Sequence, residues 1–272
     1  MAKVKKNPDE MSFMDHLEDL RWLLVRSTIA VLVAALALFF VSDFIFDAVI
    51  FGPTKADFVT YRWMCEVATF FGDPDSACID EIPFYVQNTE MEGQISILLW
   101  SCITGGFIVG FPYILWELWR FIRPALYEKE RKNAQLFITM ASLLFFIGVL
   151  FGYYLIIPLS VNFFATFTVS SVIQNEFNLS SYMGMMKTSV LACGLLFELP
   201  IIIFFLSKLG LVTPTFLRTY RRHALVLILI AAAIVTPPDV ISQIIVTIPL
   251  MVIYEVSIFI SAAVTKTLIK NE

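Results

Sequence analysis

Four carboxylates sit on polar stretches beside the first hydrophobic runs. Glu18 and Asp19 precede the first run, and Glu128 and Glu130 lie between the second and third. A carboxylate and an arginine pair through two parallel charge-assisted hydrogen bonds, a geometry lysine does not reproduce. Taken together these acids suit a guanidinium-bearing peptide; taken singly, each also fits a solvated face with local ion pairs. A fifth acid, Glu198, lies inside an apolar run as Phe197-Glu198-Leu199-Pro200. An ionisable group there is costly, so it faces a partner or a wet cavity, or stays protonated and hydrogen-bonded within a helix bundle. Thr236, Asp239, Ser242 and Gln243 mark a polar turn near the C-terminus. Gln243 falls one helical turn beyond Asp239, where its amide can bond across to another helix. Glu255 is a further buried-acid candidate, with a place near the inner interface as the other option, and Arg26 can snorkel inward from the first run.

Nothing in the chain spells a catalytic centre. HExxH, GxSxG, Walker A and Gly-rich dinucleotide turns are all missing. The two histidines, His16 and His223, are far apart, and the cysteine spacing has no metal pattern. The expectation is a protein that is not an enzyme, with no cofactor and no metal. No basic stripe or nucleic-acid motif points to DNA or RNA.

The elements that position these residues are apolar helices. Of 272 residues, 58% are hydrophobic and only 15% charged, too few polar groups to cover a water-facing surface. Runs near 23–43, 96–119, 134–158, 184–206, 224–237 and 240–264 read as six transmembrane helices. The last two are short: Ala224 to Thr236 makes only about 20 Å of helix, and Pro237-Pro238-Asp239 turns the chain. Pro249 should kink the sixth. Phe13, Leu17, Leu20 and Leu24 recur at helical spacing, and Ser12 with Asp15 resembles a capping box. Residues 7–21 therefore read as a short amphipathic helix, within a cytoplasmic segment over 1–22, that lies at the membrane surface and feeds the first span. Residues Met1 to Lys6 lack a signal peptide's apolar run.

Lys and Arg alternate between loops. The N-terminal segment, the 120–133 and 207–223 loops and the tail are basic. The 44–95 loop holds only Lys55 and Arg62, and the 159–183 loop holds neither type. One topology satisfies them all: a single polytopic domain over 1–272 with both termini inside. Cys65 and Cys78 fall on the long outer loop, where an oxidising compartment permits a bridge; two free thiols are the other option.

Four segments carry a resemblance to the TatC family. His16-Leu17-Glu18-Asp19-Leu20-Arg21 resembles its HLxELR signature, and Phe121-Ile122-Arg123-Pro124-Ala125-Leu126-Tyr127 with Glu130-Arg131 its first cytoplasmic loop. Phe197 to Pro200 is similar to its fourth span, and Thr236 to Gln243 to its last hairpin. The resemblance covers nearly the whole chain. It implies a receptor of the bacterial inner membrane that binds twin-arginine signal peptides of folded proteins. It also implies recruitment of single-span TatA/TatB-type subunits, self-association and transport driven by the proton-motive force, with no cofactor. Carried over residue by residue, signal-peptide binding falls on Asp19 and Glu130, with Arg21, Phe121, Pro124, Tyr127 and Arg131 shaping the site. Partner docking falls on Thr236 and Gln243, and the membrane-interior acid is Glu198. Two departures stand out. The family usually has Glu at Asp19, so the reach is one methylene shorter and Glu18 could substitute; and the outer loop is longer. A proton-coupled secondary transporter using Glu198 is the alternative from another class, against which the lack of inverted repeats counts.

Overall fold

A computed structural model describes residues 13–70, 72, 78, 82–122, 134–170, 172, 175–236 and 240–271. Most of them are helical. In chain order the helices are α1 (Phe13–Phe39), α2 (Val59–Phe70), α3 (Gly93–Ile122), α4 (Ala134–Phe151), α5 (Ile157–Thr166), α6 (Leu179–Phe197), α7 (Leu199–Lys208), α8 (Pro214–Thr219), α9 (Arg221–Val235) and α10 (Val240–Asn271). A π-helical turn, Gly152–Ile156, joins α4 to α5.

Among the described residues, five stretches are long and apolar enough to cross a membrane: His16–Phe39, Gly93–Ile122, Phe137–Thr166, Leu179–Lys208 and Ser242–Lys266, with mean hydropathy between 1.8 and 2.4. The other expected span corresponds to α9, whose 15 residues make about 22 Å of helix. That is short of a hydrocarbon core of about 30 Å.

Three expectations need correcting. The last two spans are not both short: α10 runs for 32 residues, Val240–Asn271, with Pro249 inside it, and of the pair α9 alone falls below crossing length. The polar N-terminal segment is not a separate surface helix, because α1 runs unbroken from Phe13 to Phe39. No Pro or Gly occurs in that stretch, so nothing ends the hydrogen-bond ladder between the polar and apolar parts. The all-helical expectation also has an exception. Strands β1 (Tyr85–Gln87) and β2 (Glu176–Asn178) pair in parallel, Val86 opposite Phe177. Phe84 stacks on Phe177 at 4.3 Å, and Asn178 Nδ2 donates to Thr89 Oγ1 at 2.6 Å.

The chain forms two compact units. The first holds α1, α3 from Leu98 onward and α4 up to Leu143. Here α1 and α3 run antiparallel and touch backbone to backbone. A Cβ at Gly106 would stand 2.6 Å from the Val31 carbonyl oxygen and 2.8 Å from the Ala35 nitrogen. Lipid removes the hydrophobic drive between helices, so close van der Waals approach at small residues holds them together. The same contact sets the axial register that brings the start of α1 to the end of α3. Leu23, Phe111, Leu115 and Trp119 are buried in this unit, and Trp119 packs on Phe137 at 4.9 Å.

The second unit covers Asp43–Ile97 and Leu144–Glu272. Its core joins α6, α7, α9 and α10 through residues such as Cys193, Ile203, Ile228, Ala232, Leu250 and Ile258. A Cβ at Gly148 would lie 2.5 Å from the Cys193 carbonyl, so α4 and α6 need glycine there. Helix α10 continues through Pro249. Ser207 donates to Ser261 at 2.7 Å, tying α7 to α10. Around α2, Tyr61 is 2% exposed, with Oη 2.8 Å from the Pro158 carbonyl and 3.1 Å from that of Pro53. Burial pushes its phenol well above the ordinary value, so it remains a proton donor. Thr60 donates to the Tyr154 carbonyl from the neighbouring position. Cys65 and Cys78 are joined as a disulfide, with Cα atoms 4.4 Å apart.

Candidate functional site

The first unit contains a cavity of about 560 Å³. Its α1 wall is one helical face, Asp19, Trp22, Leu23 and Arg26, with Glu18 beside it. These positions follow the i, i+3, i+4, i+7 rule, so α1 presents them on a single stripe. Its α3 wall is Glu117, Arg120 and Phe121, again i, i+3 and i+4. His16 stacks on Phe121 with ring centroids 4.4 Å apart, closing the two helices together at this end.

Glu18 and Asp19 are exposed, and among the described residues they form no ion pair. Glu117 is the opposite case, only 3% exposed. Tyr113 Oη lies 3.1 Å from its Oε1, Arg26 Nη1 is 3.5 Å from its Oε2, and Arg120 Nη1 is 3.9 Å from its Oε1. The Arg26 guanidinium also lies over the Trp22 ring at 5.8 Å. Among the described residues the cavity therefore has two carboxylates toward solvent without an ion pair and one buried carboxylate facing two guanidinium groups.

Of the residues expected to bind signal peptide, Asp19 and Phe121 both line this cavity. Arg21 is exposed and is not among its lining residues. Pro124, Tyr127, Glu130 and Arg131 lie outside the described residues, as does Asp239 of the hairpin turn. Sequence reasoning does not single out Glu117, and it treats Arg26 only as a snorkelling residue. The available signal is an acid between two tryptophans, Trp116-Glu117-Leu118-Trp119, at the end of an apolar run. Its partner Arg26 is far away in the chain, so the pairing has no local signature.

Glu198 sits where α6 ends and α7 begins, 7% exposed, and its Oε1 has no hydrogen-bond partner among the described residues. Pro200 lacks an N–H and sits in the first turn of α7, so the helix restarts at this acid. Thr236 is buried and its hydroxyl donates to Ala232 O at 2.9 Å. Gln243 Nε2 donates to Leu229 O at 3.2 Å, across the α9–α10 pair. Thr236 also lines a second cavity of about 430 Å³ with Phe84, Phe164, Tyr182 and Met185. Glu255, read as a further candidate acid, pairs instead with Arg221 at 2.6 Å and is 35% exposed. No group of three or more His, Cys, Asp or Glu able to hold a metal occurs among the described residues.

Long apolar helices, a short penultimate one and an acid-rimmed cavity at one end of α1 and α3 define a polytopic helical protein of membrane type. The family described as Sec-independent protein translocase protein (TatC) matches residues 15–249. A TatC of Blattabacterium sp. subsp. Periplaneta americana (strain BPLAN) is 42% identical, over 97% of this chain and 99% of that protein. The TatCy protein of Bacillus subtilis (strain 168) is 31% identical, over 97% of this chain and 92% of its own length. A crystal structure of the twin-arginine translocase receptor TatC superposes with TM-score 0.65 at 28% identity, covering 92% of this chain and 99% of that one. A second, in the detergent DDM, gives 0.69 at 28% identity, over 90% and 99%. The chain belongs to the TatC family and is a membrane component of twin-arginine protein translocation.

Proposed function

We propose that this chain is the receptor subunit that reads the paired arginines of a signal peptide at the α1–α3 cavity. The observation that carries the reading is a pair of exposed acids, Glu18 and Asp19, without an ion pair among the described residues, on the rim of a cavity with Phe121 in its wall. Asp19 and Glu130 each take one arginine of the ligand, and Arg21, Pro124, Tyr127 and Arg131 shape the approach. The peptide's apolar stretch then follows the exposed helix faces into the bilayer.

The alternation of basic loops supports six crossings of the inner membrane, with both termini in the cytoplasm and the short α9 as the fifth crossing before the long α10. The whole chain acts as one membrane domain. Thr236 and Gln243 dock single-span TatA/TatB-type subunits, and copies of the chain self-associate around them. Glu198 supplies a membrane-interior polar group to the same assembly. Transport itself draws on the proton-motive force, with no cofactor.

The test is binding of a twin-arginine precursor peptide to the purified chain beside the same peptide with Lys-Lys. Losing the two-bond geometry should cost about 1.5–3 kcal/mol per arginine. Equal affinity for both peptides would sink the receptor reading.

A further inference from the structure

We infer that Glu117 is a positioning residue that holds Arg26 and Arg120 away from Glu18 and Asp19, keeping those rim acids free for an incoming guanidinium. This rests on the reading of the cavity as a twin-arginine site and adds a determinant that the signal-peptide motif does not contain.

The charges in the cavity make such a device necessary. Three carboxylates and two arginines share one space. Left to themselves, two long cationic side chains on the cavity wall would neutralise the nearest exposed acids and compete with any arginine arriving from outside. The structure has them elsewhere. Both guanidinium groups turn to Glu117, at 3.5 and 3.9 Å, while Glu18 and Asp19 form no ion pair among the described residues.

Burial decides which acid wins. Glu117 is 3% exposed, whereas Glu18 and Asp19 are open to solvent. Water and salt screen the rim acids strongly and the buried one much less, so the stronger field at Arg26 and Arg120 comes from Glu117. Tyr113 anchors the carboxylate through Oε1, and the Trp22 ring supports the Arg26 guanidinium. Neither arginine reaches the 2.7–2.9 Å of a charge-assisted hydrogen bond typical of bidentate pairs. Glu117 thus holds the two cations by charge at close range, without forming a fork with either.

The experiment compares full-length wild type, Glu117→Gln, Arg26→Gln and the double variant, each in lipid nanodiscs, titrated with the twin-arginine peptide and its Lys-Lys control. Glu117→Gln keeps an acceptor for Tyr113 and removes only the charge. It should weaken twin-arginine binding by about tenfold or more, as the released arginines turn to the rim. Arg26→Gln alone should tighten binding. Adding it to Glu117→Gln should recover part of the lost affinity, with Arg120 still released, a non-additivity expected of neighbours that share partners. Unchanged binding in Glu117→Gln would overturn the inference. So would a loss that Arg26→Gln fails to rescue, since Glu117 would then touch the ligand itself or only support the fold; a lowered Tm in both variants marks the second case. Failure of the wild type to prefer Arg-Arg over Lys-Lys is a separate result, and it removes the receptor reading beneath the inference.

Discussion

At the scale of single residues, this chain separates acids by how much water they keep. Among the described residues, Asp19 and Glu18 are exposed and form no ion pair, Glu117 is buried against two arginines, and Glu198 is buried with one oxygen unbonded. Each arrangement has its own consequence. Asp19→Asn removes the charge without changing shape, so crosslinking of a twin-arginine precursor should fall by the equivalent of about 1.5–3 kcal/mol. Asp19→Glu should be tolerated, because the cavity is open to solvent at that rim and the longer side chain reaches further. Wild-type crosslinking in Asp19→Asn would remove the residue from the site. Glu198 behaves differently because its neighbours are apolar and its helix restarts beside it. Glu198→Ala should impair transport more than peptide binding, and Glu198→Gln should retain part of the activity, since an amide still hydrogen-bonds. Transport assays run beside binding assays on the two variants separate these effects.

At the scale of elements, the helices meet through glycines and through side chains that reach another segment's backbone. Tyr61 does this for α2, bridging toward the Pro158 and Pro53 carbonyls. Tyr61→Phe leaves buried carbonyl groups without their donor, so it should destabilise the chain by about 1–3 kcal/mol. A Tm measured in detergent would register that loss, with peptide binding at the α1–α3 cavity little altered. The α9–α10 pair offers a second case. Gln243 uses one amide N–H on Leu229 O, so its second N–H and its carbonyl oxygen remain for another helix. Gln243→Ala should weaken co-purification of single-span subunits by the equivalent of about 0.6–2 kcal/mol while leaving precursor crosslinking intact. Equal loss of both would mean general misfolding, and no loss of either would return Gln243 to ordinary packing within the hairpin.

At the scale of the whole molecule, the distribution of Lys and Arg along the chain controls which loops stay inside. Cysteines introduced singly at Glu130 and Lys270, in a chain without its own, should react with a membrane-impermeant reagent only after the membrane is opened. One at Asp75 should react from outside. Labelling of position 130 from outside would invert the cavity with respect to its ligand and overturn the receptor reading.

Much of this architecture is legible in the sequence alone, because hydropathy and charge are local properties of the chain. Runs of apolar residues locate all five crossing-length helices and α9, since a helix in lipid satisfies its own backbone and needs no distant partner. The acids ahead of the first run stand out for the same reason, and Asp19 and Phe121 do line one cavity. What the chain cannot disclose by itself depends on which segments pack together. The Glu117–Arg26 pairing exists because Gly106 lets α3 approach α1 at one register, which sets an acid at the end of one helix beside an arginine near the start of another. The β1–β2 pair and the reach of Tyr61 to Pro158 likewise join residues remote in sequence. Periodicity records which face of a helix is apolar, and only the packed structure decides what that face meets.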